Sequence, residues 1–194
     1  ELYDSTKRIL KTILKNKNNI ISKKGVFNNP FATQKNIKKL AEAISVFDIA
    51  RKGTLEQAQV KVKQNAKAFD VVNEEGYSPL VLACYRGNND VAKFIIENGI
   101  DINGNSKMGT PLMAAIVKGN NAIATLLINK KANLNISDEN GTTALIYAVM
   151  FKNAAIIKLL LENKVDKTHK DKSDKTAFEH AVFSGNEEII NLLK

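Results

Sequence analysis

The sequence predicts an all-α fold, a solenoid of stacked helix pairs, and two observations carry this prediction. A four-residue motif recurs at residues 77–80, 109–112, 142–145 and 175–178. Its third position recurs after 32, 33 and 33 residues. An asparagine at positions 88, 120, 153 and 186 keeps the same period. Repetition at such a period is typical of one structural unit stacked on itself, so we expect a single elongated repeat domain.

Each copy of the motif is predicted to begin the first helix of its unit. Ser78, Thr110, Thr143 and Thr176 stand where an N-cap side chain is expected. The next position is proline in the first two units and alanine in the last two, and both residues suit the first turn of a helix. Leu80, Ala83 and Cys84 then give an apolar face of mostly small residues, on which a neighbouring helix can approach closely.

A second helix follows the first in every unit. Gly87, Gly119 and Gly185 are predicted to end the first helix, because glycine adopts the left-handed C′ conformation without steric cost. In the first unit an amphipathic pattern then continues through Val91 and Phe94. Residues 100–103 lose the helical period and lead, through turn-forming residues, to the next cap. Each unit is therefore expected to form two antiparallel helices.

Together these features resemble the ankyrin repeat, whose units are about 33 residues long and open with the pattern T-P-L-H-x-A. The resemblance covers residues 73–194 and implies an ankyrin-repeat solenoid with β-hairpin-like tips. Its units would be 73–103, 104–135, 136–167 and 168–194. Residues 46–53 and 55–66 predict a further helix pair, a degenerate N-terminal cap repeat at 45–72, which extends the repeat domain to 45–194.

The chain departs from the family pattern in three ways. The family histidine after the leucine is replaced by Val81, Met113, Ile146 and Glu179, which puts the hydrogen bonds of that histidine in question. Lys152 stands in place of the glycine that ends the first helix, which implies a strained or altered turn. The second unit is one residue short before Gly109, so its hairpin tip is expected to be tighter.

The positive charge of the chain is concentrated at one end. Residues 1–70 carry 15 Lys/Arg against 6 Asp/Glu, whereas residues 71–194 carry 14 of each, so the net charge of +9 belongs to the first part. Residues 1–44 are predicted to form a basic helical N-terminal extension, with apolar residues at helical spacing in 4–15 and 36–45. The positive charge of this segment could attract phosphate groups or an acidic protein, but the pattern favours an ordinary solvated charged face on two helices.

The resemblance implies a binding surface on the concave face of the stack, which ankyrin-like proteins use to hold partners. The two residues before each helix stop would face this concavity, and several are apolar where polar residues would be ordinary. We refer to Tyr85, Val117, Met150, Phe151 and Phe183 as the apolar stripe. The remaining candidates are Arg51, Lys52, Arg86 and Lys118, with Tyr77 and Met108 at the hairpin tips and Glu74 and Glu75 as rim charges. The alternative is that some stripe residues, Phe151 above all, turn inward to fill gaps.

The sequence favours a non-catalytic protein-protein interaction module with a protein partner, an acidic one by the charge of the candidate surface. The alternative is electrostatic binding of nucleic acid or another polyanion through residues 1–44, although aromatic residues are not interleaved with the lysines as base stacking requires. No catalytic residue, metal site or cofactor is expected. Two histidines, His169 and His180, are too few for a zinc site without carboxylates, and Cys84 occupies a helix-packing position.

Composition sets the remaining expectations. A single cysteine cannot form an internal disulfide, and no apolar run is long enough to cross a bilayer. We expect a monomer in the cytoplasm, while removal of a signal peptide before Glu1 would give an extracytoplasmic protein.

Overall fold

The computed structural model describes residues 44–104, 106 and 109–194, which belong to one compact unit. Ten α-helices occupy these described residues. The first helices of the pairs are α1 (Val46–Lys52), α3 (Pro79–Arg86), α5 (Pro111–Val117), α7 (Ala144–Met150) and α9 (Ala177–Ser184). The second helices are α2 (Leu55–Gln64), α4 (Asn89–Glu97), α6 (Asn121–Asn129), α8 (Ala154–Glu162) and α10 (Glu187–Leu193). The helix predicted at 4–15, residues 36–43 of the helix predicted at 36–45, and nearly all of the basic extension lie outside the described residues. The end of the second prediction is wrong, because Ser45 is extended and serves as the N-cap of α1.

The predicted caps form at the start of the first helices. The hydroxyl of Ser78 accepts a hydrogen bond from the backbone N–H of Val81, and Thr110, Thr143 and Thr176 act in the same way in their units. Each cap satisfies one of the N–H groups that a helix N-terminus leaves without an internal partner. Local sequence therefore sets where every repeat begins.

The helices stack in two layers. Each odd-numbered helix packs on the next odd-numbered one, and each even-numbered helix packs on the next even-numbered one, in chain order. The described part of the chain contains no β-strand, only two isolated antiparallel bridges, between Ser106 and Gly109 and between Ser137 and Thr143. The all-α solenoid with hairpin-like tips is thus confirmed. Among the described residues, no helix is both long and apolar enough to traverse a bilayer.

The core repeats with the same period as the sequence. Leu80, Leu112 and Leu145 are equivalent residues of successive first helices, and each is at most 1% exposed. The alanine three residues later is equally buried in all three units, and its small side chain allows the close helix contact that the sequence predicts. Phe69, in the connection before α3, is also fully buried. Burial of one apolar row per interface holds each repeat to its neighbours.

The hairpin tip of the second unit is tighter than the others, as the missing residue predicts. The N–H of Ser106 donates to the carbonyl of Gly109, three residues on. In the first unit the equivalent bond runs from Asn73 to Tyr77, four residues on, and the third and fourth units keep that longer span. The deletion is therefore absorbed at the tip, and Thr110 still caps α5 as usual.

The four residues that replace the family histidine have local roles in their own repeats. A carboxylate oxygen of Glu179 accepts from the backbone N–H of Thr176 at 2.6 Å, so it completes a capping box at the start of α9. The sulfur of Met113 lies 3.4 Å from the backbone nitrogen of Thr110 at the same place in α5. Val81 and Ile146 are buried apolar residues. The position thus contributes to capping in two units and to the core in the other two.

A ladder of asparagine side chains links neighbouring repeats. The side-chain N–H of Asn88 donates to the carbonyl oxygens of Ile49 and Gly53, at 3.1 and 3.0 Å, and so ties the first pair of helices to the second. Further along, Asn153 donates to the side chain of Asn121 at 2.7 Å, and Asn120 donates to Asn89. Asn120 and Asn153 therefore connect the repeats and also cap the second helices α6 and α8, whereas the Asn88 side chain connects repeats without capping α4.

Candidate functional site

The apolar stripe lies where the first helices end, and the backbone fixes that point. Gly87, with φ of 73°, ends α3 by donating its N–H to the carbonyl oxygens of Ala83 and Cys84. Gly119 and Gly185 also adopt the left-handed conformation after α5 and α9. After α7 the same conformation is taken by Lys152, with φ of 54°, so the predicted strained turn is confirmed. Because a left-handed residue recurs at the equivalent position after α3, α5, α7 and α9, the residues before it align from repeat to repeat in these four units.

The stripe residues of the last two units are largely exposed. Met150 and Phe151 are 53% and 51% exposed, and Phe183 is 83% exposed. Tyr85 and Val117 are half-buried, and Tyr85 packs against the core. The alternative in which Phe151 turns inward is wrong, because half of its side chain meets solvent. The stripe residues of the third and fourth units are therefore largely accessible, whereas those of the first and second units are only partly exposed.

In the third unit, hydrogen bonding connects the stripe to the hairpin tip. The ring of Phe151 lies 6.4 Å from that of Tyr147, centroid to centroid. The hydroxyl of Tyr147 donates to a carboxylate oxygen of Asp138 at 2.7 Å, and the other oxygen accepts from the backbone N–H groups of Asn140 and Thr142. Burial, the hydrogen bond and the charge of Asp138 raise the pKa of Tyr147 to about 12. The phenol is thus a fixed donor that orders this surface.

The fourth unit repeats this arrangement with a histidine in place of the tyrosine. Asp171 binds the ring of His180 at 2.6 Å with one carboxylate oxygen, while the other accepts from the N–H groups of Ser173 and Lys175. Burial alone would raise the pKa of Asp171, but these hydrogen bonds outweigh it and hold the pKa below its usual value. The amine of Lys175 lies 4.7 Å from the centre of the Phe183 ring. A tip residue and a stripe residue therefore share one face.

A cation stands at the end of each of the four first helices α1, α3, α5 and α7. We refer to Lys52, Arg86, Lys118 and Lys152 as the basic ladder, and all four are exposed. The guanidinium of Arg86 lies 5.9 Å from the ring centre of its neighbour Tyr85. Arg51, beside the ladder, is half-buried and pairs with Asp48 at 3.6 Å. In three of these four units, the cation of the basic ladder directly follows an apolar residue of the stripe.

The hairpin tips of the first and third units carry negative charge. Glu74, Glu75 and Glu139 are exposed there, and together with Gly76, Ser106, Ser137 and Asp138 they line an open cleft of about 510 Å³ across three successive tips. Tyr77 is half-buried, and its backbone N–H donates to the side chain of Asn73. Met108 lies outside the described residues. The cleft is acidic and separate from the apolar stripe, so the exposed apolar side chains rather than the cleft define the candidate site.

The groups that could carry chemistry have structural roles. Cys84 is fully buried, as predicted, and burial raises the pKa of its thiol to about 12. His169 bonds the carbonyl oxygen of Gly141 across the repeat boundary, and His180 holds Asp171. Over the part of the chain that the structure describes, no three metal-ligating side chains come together.

Sequence reasoning missed two cations of this surface. Lys152 replaces the glycine that ends the first helix, and its place one residue beyond the equivalent of Lys118 also puts a cation near the end of α7. Lys175 occupies the tip position that Tyr77 holds in the first unit, and this equivalence could have identified it. The ties from Asp138 to Tyr147 and from Asp171 to His180, each nine residues apart, are likewise visible as a spacing once the pairing is known.

The fold and the site define a solenoid of helix pairs with a continuous surface along the ends of its first helices. A family model described as ankyrin repeats in three copies matches residues 46–138 and 130–194. The match spans most of the chain, and the chain belongs to the ankyrin-repeat family. A search of curated proteins gives no match. Ankyrin repeats are in general protein-protein interaction modules, and proteins built from them are typically non-catalytic.

Proposed function

We propose that this chain binds a protein partner through the concave face of its repeats, with the apolar stripe as the main contact. The observation that carries the proposal is the exposure of Met150, Phe151 and Phe183, which are each at least half accessible. Aromatic residues and methionine are enriched at the centres of interfaces, where their burial supplies most of the binding energy. A rigid repeat stack also limits the conformational entropy lost on binding.

The charges beside the stripe support an acidic partner. The basic ladder follows the stripe through four repeats, and Lys175 adds a further cation at the fourth tip. Complementary charge speeds encounter and fixes the register of a complex more than it adds affinity. The apolar stripe would therefore determine how tightly the partner is held, and the cations would determine which partner is chosen.

Replacement of Met150 and Phe151 by alanine tests the proposal. We expect partner binding to weaken about tenfold to a hundredfold, because two exposed contact residues lose their side chains, whereas the unfolding temperature should hardly change. The partner is first obtained by affinity capture and mass spectrometry, and its affinity for each variant is then measured by calorimetry. Val71→Ala with Val72→Ala is the matched control, since these exposed valines lie off the stripe. Equal affinity of the stripe variant and the unchanged protein would refute the proposal.

A second function, binding of a polyanion through residues 1–44, is favoured by the excess of positive charge in the first part of the chain. Such binding releases counterions, so its affinity should fall steeply as salt is added. An apolar interface should respond weakly to the same titration. Binding of a labelled oligonucleotide between low and physiological salt, with and without residues 1–44, distinguishes the two functions.

A further inference from the structure

We infer that the segment of the partner that contacts the basic ladder is extended and carries an acidic residue at every third position. This inference rests on the proposed function and specifies the chemistry of the partner. Its basis is the combination of the ladder with the apolar residue that precedes each of its last three members: Tyr85 before Arg86, Val117 before Lys118 and Phe151 before Lys152. Each of these pairs offers one cation and one apolar side chain to the same ligand.

The spacing of the ladder follows from the packing of the first helices. Lys52, Arg86, Lys118 and Lys152 lie at the ends of α1, α3, α5 and α7, which are successive neighbours in the stack. Helices packed in this way lie about 8–10 Å apart, so Lys52, Arg86 and Lys118, at equivalent positions, recur at about that interval, and Lys152 follows one residue beyond the next equivalent position. The whole ladder then spans roughly 30 Å, three of these intervals.

A polyproline II segment matches this interval. It has three residues per turn and advances about 3.1 Å per residue, so side chains at every third position point to one side about 9 Å apart. About ten residues in this conformation reach all four cations. In a β-strand the side chains three positions apart would point to opposite sides. An α-helix, at about 1.5 Å per residue, would need roughly twice as many residues to cover the same length.

The cost of ordering favours the shorter segment. Every residue fixed on binding loses conformational entropy, so ten ordered residues cost less than twenty. Unfolded chains already populate polyproline II, which reduces the cost further. A nucleic acid strand fits less well, because Val117 and Met150 offer no aromatic face on which a base could stack, whereas peptide side chains pack on any apolar residue.

Three peptide isomers provide the test. All contain the same four glutamates and the same leucines and serines in about ten residues; the glutamates stand at every third position, at every second position or in one block. Their binding to the full chain is measured by fluorescence anisotropy at physiological salt. Because the isomers carry equal charge, the basic residues 1–44 contribute equally to all three. We expect the every-third isomer to bind about tenfold more tightly than the others, since only its carboxylates recur at the interval of the ladder.

Two charge reversals locate the effect. Lys118→Glu, in the middle of the ladder, should remove the preference among the isomers, and Lys118→Gln serves if the reversal lowers the unfolding temperature. Lys158→Glu is the matched control, because Lys158 is exposed on the second helix α8 and away from the ladder. It should leave the preference unchanged.

Other outcomes would overturn the inference. These are equal binding of the three isomers, tighter binding of a helix-forming peptide with a glutamate at every seventh position, or tighter binding of oligothymidine than of any peptide. If the Met150 and Phe151 variant still loses its protein partner in that case, the proposed function stands, and only the inferred conformation and acidic spacing of the partner segment are wrong. If that variant keeps its partner, both fall.

Discussion

At the scale of single residues, Lys152 combines a backbone cost with a position on the candidate surface. Its φ of 54° lies in the left-handed region, where a side chain costs about 1–2 kcal/mol and glycine costs nothing. Gly87 and Gly185 hold the equivalent place in other repeats. The chain thus accepts local strain where it presents a fourth cation, one residue beyond the position equivalent to Arg86 and Lys118.

Lys152→Gly should therefore stabilise the fold and weaken binding of the acidic partner. We expect a gain of about 0.5–1 kcal/mol in the free energy of unfolding, because relief of strain exceeds the extra freedom that glycine gives the unfolded chain. Urea unfolding measures the gain, and calorimetry with the partner measures the loss of affinity.

Lys164→Gly is the matched control for this prediction. Lys164 has φ of 58° after α8, where the equivalent residue after α4 is Gly99 with φ of 73°. It should give a similar gain in stability without any loss of affinity, because it lies outside the ladder. A loss of affinity as large as that of Lys152→Gly would mean that neither lysine acts through direct contact.

Asp171 makes stability depend on pH. Its pKa is lowered in the folded state, where the hydrogen bonds from His180 and the tip backbone outweigh burial. Its contribution is therefore fully present above the unfolded pKa of about 3.9 and is lost as pH falls through the folded value. Urea unfolding between pH 7 and pH 3 should show this loss.

Asp171→Asn should reduce that dependence without rebuilding the tip. Asparagine can still accept the backbone N–H bonds, as Asn73 does in the first unit. The variant should be less stable than the unchanged chain at pH 7, because the charged bond to His180 is gone, and the two should converge at low pH. Parallel stability curves for the two proteins would contradict the role assigned to the carboxylate.

At the scale of elements, the asparagine ladder couples repeats whose helices are short. The helices of the described repeats are seven to ten residues long, and isolated helices of that length are marginal in water. Their stability comes from packing and from hydrogen bonds between units. Asn88 is the strongest example, because one side chain donates to two carbonyl groups of the preceding unit.

Asn88→Ala should loosen the first helix pair. We expect a loss of about 1–2 kcal/mol, since two partly buried hydrogen bonds to carbonyl groups disappear. Hydrogen exchange should rise first in α1 and α2, which the bonds hold in place. Asn98→Ala is the control: Asn98 donates only to the carbonyl of Phe94 in its own helix end, so its removal should affect α4 locally. Equal effects of both variants on α1 would contradict the coupling of the first two repeats by Asn88.

At the scale of the whole molecule, one repeat position has two environments. Val149 and Val182 are equivalent residues of α7 and α9, but Val149 is 1% exposed and Val182 is 51% exposed. Phe178 shows the same contrast with Leu145, at 38% against 1% exposed. The next repeat covers the first residue of each pair, and among the described residues no repeat follows to cover the second.

Val149→Ala should therefore cost far more than Val182→Ala. Two methyl groups leave a packed interface in the first variant, which costs about 2 kcal/mol including the cavity. The second variant exchanges groups that already meet solvent and should cost under about 0.5 kcal/mol. Urea unfolding of both variants provides the comparison. Equal costs would mean that Val182 is covered in solution.

Local signals determined the repeat by themselves. The caps at Ser78 and Thr110, the glycine stops and the missing residue before Gly109 all act over a few residues of backbone, so the helix boundaries and the tighter tip could be predicted. The stripe and most of the ladder could also be predicted, because a fixed period places equivalent residues on one surface.

Only the tertiary structure decided which contacts these residues make. The exposure of Phe151 depends on its packing against Tyr147. Lys175 reaches Phe183 because the tip folds onto the end of a helix, and Asn88 finds its hydrogen-bond partners in the preceding unit. Residues distant in sequence meet only when the helices stack, and the free energy of such a contact depends on what surrounds it. A period in the sequence can therefore specify the scaffold, whereas the accessible surface follows from the completed stack.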